Sequence, residues 1–278
     1  MTILKKEIII NALWCRAFEL EVARAINRKE ITIPTYLSVG TEHVAAFFAT
    51  YNKTWPLFAQ HRCHSYWITR HVPYIEGLIY ELLGSEQGCN GGFGGSASIS
   101  SREGGIFGHS GLLGDQVPIG VGYAFATKKN TLIILGDAAA EEDYVLGSLG
   151  FIATHNVPVL LICEDNDLSI LTPKATRRKW SIVDVAKGFG LDAIDVTEKQ
   201  SGDIDTFVDY MTKTLQTTPK NIKLINIEVC RHLWHAGSGS DGHPKYDPLK
   251  AYVNTGDFRT IQSMVAKIWD ETVGRFKK

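Results

Sequence analysis

With 278 residues, 44% of them hydrophobic and 10% aromatic, the chain carries enough apolar surface for a full core. That excludes a disordered chain and predicts one large α/β domain over 1–278. A formal charge of -1 gives no bulk attraction to nucleic acid or to an anionic membrane, so neither is expected as a partner.

The five cysteines, Cys15, Cys63, Cys89, Cys163 and Cys230, follow no CxxC and no repeating interval, which fits a reducing cytoplasm. The opening "MTILKKEIIINALWC" holds an apolar run far too short to span a bilayer, and no small-residue cleavage site follows it. Neither an export signal nor a membrane span is expected. From there, Ile10, Leu13, Trp14, Ala17, Phe18 and Ala23 recur at helical spacing with charges between, predicting an amphipathic helix over about 7–28. "GTEHVAAFFATY" predicts another over 40–51.

Residues 84–114 are dense in glycine and serine, yet Phe93, Ile99, Ile106, Phe107, Leu112 and Leu113 interrupt them. A solvated spacer needs no such residues, so the stretch reads as an ordered loop shaped around something. The pattern then becomes regular: helix 115–129, strand 131–136, helix 142–155, strand 157–165, helices 181–189 and 203–216, strand 221–230. Short continuous apolar runs alternating with helices predict an α/β fold, a parallel sheet covered by helices on both faces.

Asp137 closes the strand "TLIILG", and Asn166, 29 residues on, follows the next strand, "VPVLLICED". That interval spans one βαβ unit, which commonly sets parallel strands side by side with their carboxyl ends at one edge, where open α/β sheets bind ligands. A carboxylate and an amide oxygen there form a hard all-oxygen set suited to magnesium or calcium, and magnesium leaves coordination positions for phosphate. Two plainer readings stand beside this one. Asp137 caps the helix beginning near 141, worth ~1 kcal/mol, and Asn166 sits in a turn with Asp165 and Asp167.

The run "GDAAAEEDYVLGSLGFIATHNVPVLLICEDN" resembles the thiamine-diphosphate motif, which opens Gly-Asp-Gly and closes Asn-Asn about 30 residues later. More narrowly, the chain resembles the alpha subunit of the two-subunit 2-oxo acid dehydrogenases of the pyruvate, branched-chain and acetoin type. "LSVGTEHVAA", "QHRCHSYWITR", "GGFGGSASI" and "FGHSGLLGDQVPIGVGYAFA" extend the likeness, in the family's order, over roughly residues 35–245. The resemblance implies the diphosphate-binding half of a thiamine-diphosphate-binding fold, with Mg2+ held by the Asp137 carboxylate, the Asn166 side chain and the Leu168 carbonyl. It also implies diphosphate contacts from Arg62 and His61, and backbone contacts to the aminopyrimidine ring from Gly111 and Leu113. Ala138 and Ala139 would offer N–H groups to phosphate, and Glu142 either orients that turn or favours the helix start.

A histidine after strand 221–230 would lie over the cofactor. His235 is the first choice and His232 the second, with His243 in the same segment. His64 and His109 either line the substrate entrance as catalytic groups or are hydrogen-bonded structural histidines. A zinc site of His61, Cys63, His64 and His109 matches no closed metal module. The basic run "KATRRKW" reads as a mobile, solvated face near the entrance.

Three positions depart from the family pattern: Ala138 replaces the second glycine of Gly-Asp-Gly, Asp165 the first asparagine of Asn-Asn, and Gly147 a glutamate of the following helix. Alanine is strained if its φ must be positive, and Asp165 adds a charge that either draws a metal or repels phosphate. In the family, the carboxylic acid that activates the cofactor's pyrimidine comes from a separate beta subunit. The resemblance therefore implies an α2β2 heterotetramer, an oxidoreductase component that decarboxylates a 2-oxo acid and passes the acyl fragment to a lipoyl acyltransferase. Two other readings stay open: a carboligase or split-transketolase-like subunit that adds a two-carbon unit to a sugar or carbonyl acceptor, and a scaffold or regulatory subunit with weakened cofactor binding.

Overall fold

The computed structural model describes residues 1–217, 221–240 and 244–277, so His243 lies outside the described residues. The chain packs as two compact units. One comprises Met1–Lys53, His61–Ile106 and Cys230–Lys278; the other comprises Thr54–Gln60 and Phe107–Val229.

The first unit is helical, with helices at Ile3–Asn27, Glu42–Tyr51, His64–His71, Glu76–Leu82 and Gly256–Phe276. Thr2 starts the first by accepting the Lys5 N–H. This helix is not one-faced as its sequence pattern suggests, because Arg16 and Glu19 are buried along with Leu13, Trp14 and Phe18. Both charges are paired inside. Arg16 donates to Asp247 at 2.9–3.0 Å and to Glu42, while Glu19 accepts from Ser38 and lies 3.1 Å from His64. The helix Gly256–Phe276 is an element beyond those predicted above, with Phe258, Ile261, Val265, Trp269 and Val273 forming its buried stripe.

The glycine-rich stretch is ordered around one side chain. Glu81 is fully buried, and its carboxylate accepts backbone N–H groups from Asn90, Gly92, Gly94 and Gly95 at 2.6–3.0 Å. Gly92 and Gly95 have φ of +78° and +57°, a region that suits glycine.

His43 is fully buried in this unit, and burial, reinforced by the Arg16 charge, pushes its imidazole down from 6.5 to about 3. Below pH 6.5 the unfolded chain therefore binds a proton that the folded chain refuses, so stability is lost as pH falls. Between pH 7 and pH 5 this histidine alone is expected to remove about 2 kcal/mol. Urea unfolding at the two pH values should show that loss, and His43→Gln should shrink it by a similar amount; an unchanged pH dependence in the variant contradicts the assignment.

The second unit holds the sheet. The strands of the chain are β1 (Leu57–Phe58), β2 (Ile106–Phe107), β3 (Thr131–Gly136), β4 (Val159–Asp165), β5 (Leu168–Ser169), β6 (Thr172–Pro173), β7 (Asp192–Val196) and β8 (Ile222–Glu228). Among the described residues six of them form one sheet in the order β2-β1-β3-β4-β8-β7, while β5 and β6 pair separately. The pairs β1/β3, β3/β4, β4/β8 and β7/β8 are parallel. Ile133, Leu135, Leu161 and Cys163 pack against the helices Gln116–Thr127, Asp143–His155 and Ile182–Gly188. The alternate residues Leu132, Ile134, Ile162, Ile225 and Ile227 are buried too, so the strands are covered on both faces. Lys128 and Asn156 end two of these helices in the left-handed conformation. β7 carries little strand signal in its sequence because it is a short edge strand with Asp192 and Asp195, a residue type depleted in strands. Among the described residues no helix is long and apolar enough to cross a membrane.

Candidate functional site

β3 and β4 pair in a register that sets Gly136 against Glu164. Asp137 and Asp165 are the residues immediately after these partners, so the two carboxylates stand at neighbouring strand ends. Both are nearly buried, at 2% and 5% exposure. Burial, and next the Asp165 charge, push the Asp137 carboxyl up to about 6. Two acids so placed need positive charge.

The protein supplies it from the short helix Lys174–Arg177. Arg177 Nη2 donates to Asp137 Oδ2 at 2.5 Å, and its Nη1 donates to Glu141. Lys174 Nζ donates to Asp165 Oδ2 at 2.5 Å. The partner of Asp137 is thus a cation of the chain itself, not the first turn of the next helix, where Glu142 occupies the capping position. The basic run is accordingly not a solvated face: Lys174 and Arg177 are ion-paired and Arg178 is only 8% exposed.

Arg177→Met is expected to cost about 3 kcal/mol, since it leaves the buried Asp137 beside the Asp165 charge without its guanidinium. In urea unfolding the double variant with Asp137→Asn should lose markedly less than the two single losses added together; strict additivity would mean that the pair does not interact.

Asn166 Oδ1 accepts the Leu168 N–H at 3.2 Å, and Asp165 Oδ1 accepts the Asp167 N–H at 3.0 Å. This is the turn geometry that the sequence allows for these residues. Leu168 opens the β5/β6 hairpin. Ala138 has φ −70°, an ordinary helical value, so alanine at this departure from Gly-Asp-Gly is unstrained. Ala139 begins a 3-10 turn running to Glu141. Gly111 has φ +110° and a Cβ built there would meet nothing within 4 Å, so within the chain conformation, not close approach, accounts for glycine. The Leu113 carbonyl accepts the Tyr144 hydroxyl. His109 is 6% exposed, its Nδ1 accepts the Gly111 N–H at 3.0 Å, and burial holds its imidazole below the usual range.

The remaining expected residues lie in the first unit. Arg62 is buried; it donates to the Leu37 carbonyl at 2.5 Å and lies 3.4 Å from His235 Nδ1. The His61 and His235 rings stand 5.5 Å apart, and Tyr36 packs edge-on against both at 5.0 and 5.2 Å. His232 is engaged elsewhere, its Nε2 2.8 Å from the Tyr246 carbonyl oxygen. His64 is fully buried between Glu19, 3.1 Å from Nδ1, and Ser96, 2.9 Å from Nε2. Both nitrogens are thereby used, which favours the hydrogen-bonded structural reading of His64 over the entrance reading. Tyr36, Lys174 and Arg177 were missed as site residues. For the two cations the signal was present, two positive charges one helical turn apart soon after a strand that ends in two acids.

Residues 11–200 match the family described as Dehydrogenase E1 component. The chain is 32% identical over 176 residues to the pyruvate dehydrogenase E1 component subunit alpha, mitochondrial, of Chaetomium thermophilum, an alignment covering 61% of this chain and 42% of that protein. It is 31% identical over 191 residues to the same-named protein of Solanum tuberosum, covering 65% and 49%. Transketolase from Leishmania mexicana superposes with a TM-score of 0.58 at 16% identity, over 99% of this chain and 47% of that one, a likeness of fold. The chain thus spans a little under half the length of these relatives.

Proposed function

This chain belongs to the Dehydrogenase E1 component family, and from that premise we propose that it is the alpha-type, diphosphate-binding half of a heteromeric enzyme that uses thiamine diphosphate to decarboxylate a 2-oxo acid and transfer the acyl fragment. The observation that carries the reading is the pair of acids, Asp137 and Asp165, at adjoining carboxyl ends of β3 and β4, with Asn166 next in the chain.

The donor chemistry fits a divalent ion. The Asp137 carboxylate, the Asn166 amide oxygen and the Leu168 carbonyl are all hard oxygens, and two nearly buried acids favour added positive charge. These three residues would hold Mg2+, with Arg177 ceding Asp137 and keeping Glu141. Arg62 and His61 would bind the diphosphate, the N–H groups of Ala138 and Ala139 would support it, and Glu142 would steady that turn. Gly111 and Leu113 would meet the aminopyrimidine ring. Bound thiamine diphosphate supplies an electron sink for the carbon that loses carbon dioxide. His235 would hold or move a proton at the reacting end, with His109 beside the ring-binding backbone, while His64 keeps the glycine-rich loop in place through Ser96.

The same proposal includes a beta subunit bringing the activating carboxylic acid, an α2β2 assembly, a lipoyl acyltransferase as acceptor, and a cytoplasmic setting. The test combines the chain with a beta-type partner, thiamine diphosphate and Mg2+, and follows carbon dioxide release from pyruvate and branched-chain 2-oxo acids, with a lipoyl domain or with an aldehyde as acceptor. Release that requires both chains and the cofactor is expected, with acyl transfer to the lipoyl domain. Turnover by the single chain refutes the division of labour, and transfer to the aldehyde alone replaces the dehydrogenase reading with carboligation.

A further inference from the structure

The sheet unit contains a cavity of about 470 Å³ that the proposed reaction does not use. It lies at the carboxyl ends of β4, β8 and β7, against Asp165, Glu228 and Val196, the edge at which parallel sheets take ligands. Its size falls in the range of small-molecule sites. It adjoins the Lys174–Asp165 ion pair, whereas Asp137 and Arg177 are not part of its wall.

Two buried polar groups in that wall lack full partners. Asn226 is 7% exposed; its Nδ2 donates to Asp195 at 3.0 Å and to Asp165 at 3.3 Å, while its Oδ1 meets no donor among the described residues. Arg178 is 8% exposed and its guanidinium stacks on the Trp180 ring at 4.3 Å. Its Nε is 3.4 Å from Glu141, beyond a good hydrogen bond, and its Nη1 meets no acceptor among the described residues. A buried guanidinium with open donors calls for an anion, and an unpaired amide oxygen calls for a donor.

The rest of the wall narrows the ligand. Asp165, Asp167, Asp195 and Glu228 line the cavity against Lys174, Arg178 and Lys179, a net negative wall, so a phosphate or a polycarboxylate with two or more negative charges would meet repulsion. An apolar molecule would bury Arg178 and Asn226 unsatisfied. The chemistry that answers both ends is a single carboxylate joined to an ammonium group. We propose that this cavity binds a small α-amino acid, with its carboxylate on Arg178 and its ammonium directed to Asp195 and the Asn226 oxygen. Asp165 is shared with the acid pair of the proposed cofactor site, whereas Arg178, Asn226 and Asp195, which carry this proposal, have no role there.

Calorimetric titration of the full chain with L-alanine, L-glutamine and L-leucine tests it, with propionate, ethylamine and inorganic phosphate as controls at matched ionic strength. At least one amino acid is expected to bind with a Kd of about 1 mM or tighter, and every control at least tenfold more weakly. Arg178→Met should weaken the amino acid at least tenfold. So should Asp195→Asn, a substitution at an exposed position that leaves packing intact, which keeps the test valid if the first variant folds poorly. No amino acid binding, equal binding of a control, or full affinity retained in Asp195→Asn would overturn the assignment.

Discussion

Replacing Glu81 with alanine is expected to lower the unfolding free energy by about 4 kcal/mol or more and to expose the amides of residues 90–95 to rapid hydrogen exchange. Four backbone N–H groups converge on this one fully buried carboxylate at 2.6–3.0 Å. Hydrogen bonds to a charged acceptor contribute ~1.5–3 kcal/mol each, and the loss stays below their sum because part of the loop can turn its donors to water. Gly88 packs so closely on Glu81 that an added Cβ would lie 2.4 Å from its Oε2, so no larger side chain at 88 refills the space without displacing the carboxylate. Glu81→Gln keeps the shape but offers one acceptor oxygen in place of two, and about half the loss is expected. If Glu81→Ala unfolds within 1 kcal/mol of the parent chain, the loop is held by something other than this carboxylate.

Asp137→Asn should separate function from folding. In the assembled enzyme the variant is expected to lose at least about 100-fold in affinity for thiamine diphosphate with Mg2+, since truncating one member of a buried charged contact costs ~2–5 kcal/mol. Folding should change by less than ~1 kcal/mol. The asparagine keeps the volume, Arg177 retains Glu141, and Asp165 loses a like-charged neighbour. Arg177→Met has the opposite signature, a less stable chain whose Asp137 is freed for a divalent ion, so its thermal midpoint should rise more on adding Mg2+ than that of the parent. Calorimetry for affinity and urea unfolding for stability measure the two axes; equal losses on both for Asp137→Asn would make this residue a structural one.

Much of the sheet was legible because its signal is local. The interval between Asp137 and Asn166 allowed one crossover, and strands bounded within a residue or two of their observed ends followed from continuous apolar runs. The expectation that Asp137 and Asn166, with Asp165 one residue before it, reach one edge of the sheet follows from that alone. What the acids face was not legible, because Lys174 and Arg177 reach them through a hairpin and a short helix whose sequence looks like any solvated basic stretch. His64 leaves two readings open in the sequence for a related reason. A histidine beside Arg62 suggests chemistry, and only tertiary packing brings Glu19 and Ser96 to its two nitrogens. Glu81 drew no attention, since a single glutamate in a helix carries no mark of the four amides it will receive from a loop nine to fourteen residues later. The buried stripe of Gly256–Phe276, by contrast, is a local signal, apolar residues three and four apart, that the sequence carries in full.

The most direct measurement is anomalous scattering from crystals of the chain with its beta-type partner grown with thiamine diphosphate and Mn2+. The account predicts one manganese peak bonded to the Asp137 carboxylate and the Asn166 amide oxygen, with Arg177 turned onto Glu141. Diphosphate bound in the crystal while Arg177 remains on Asp137 and no manganese stands at the ends of β3 and β4 would contradict it.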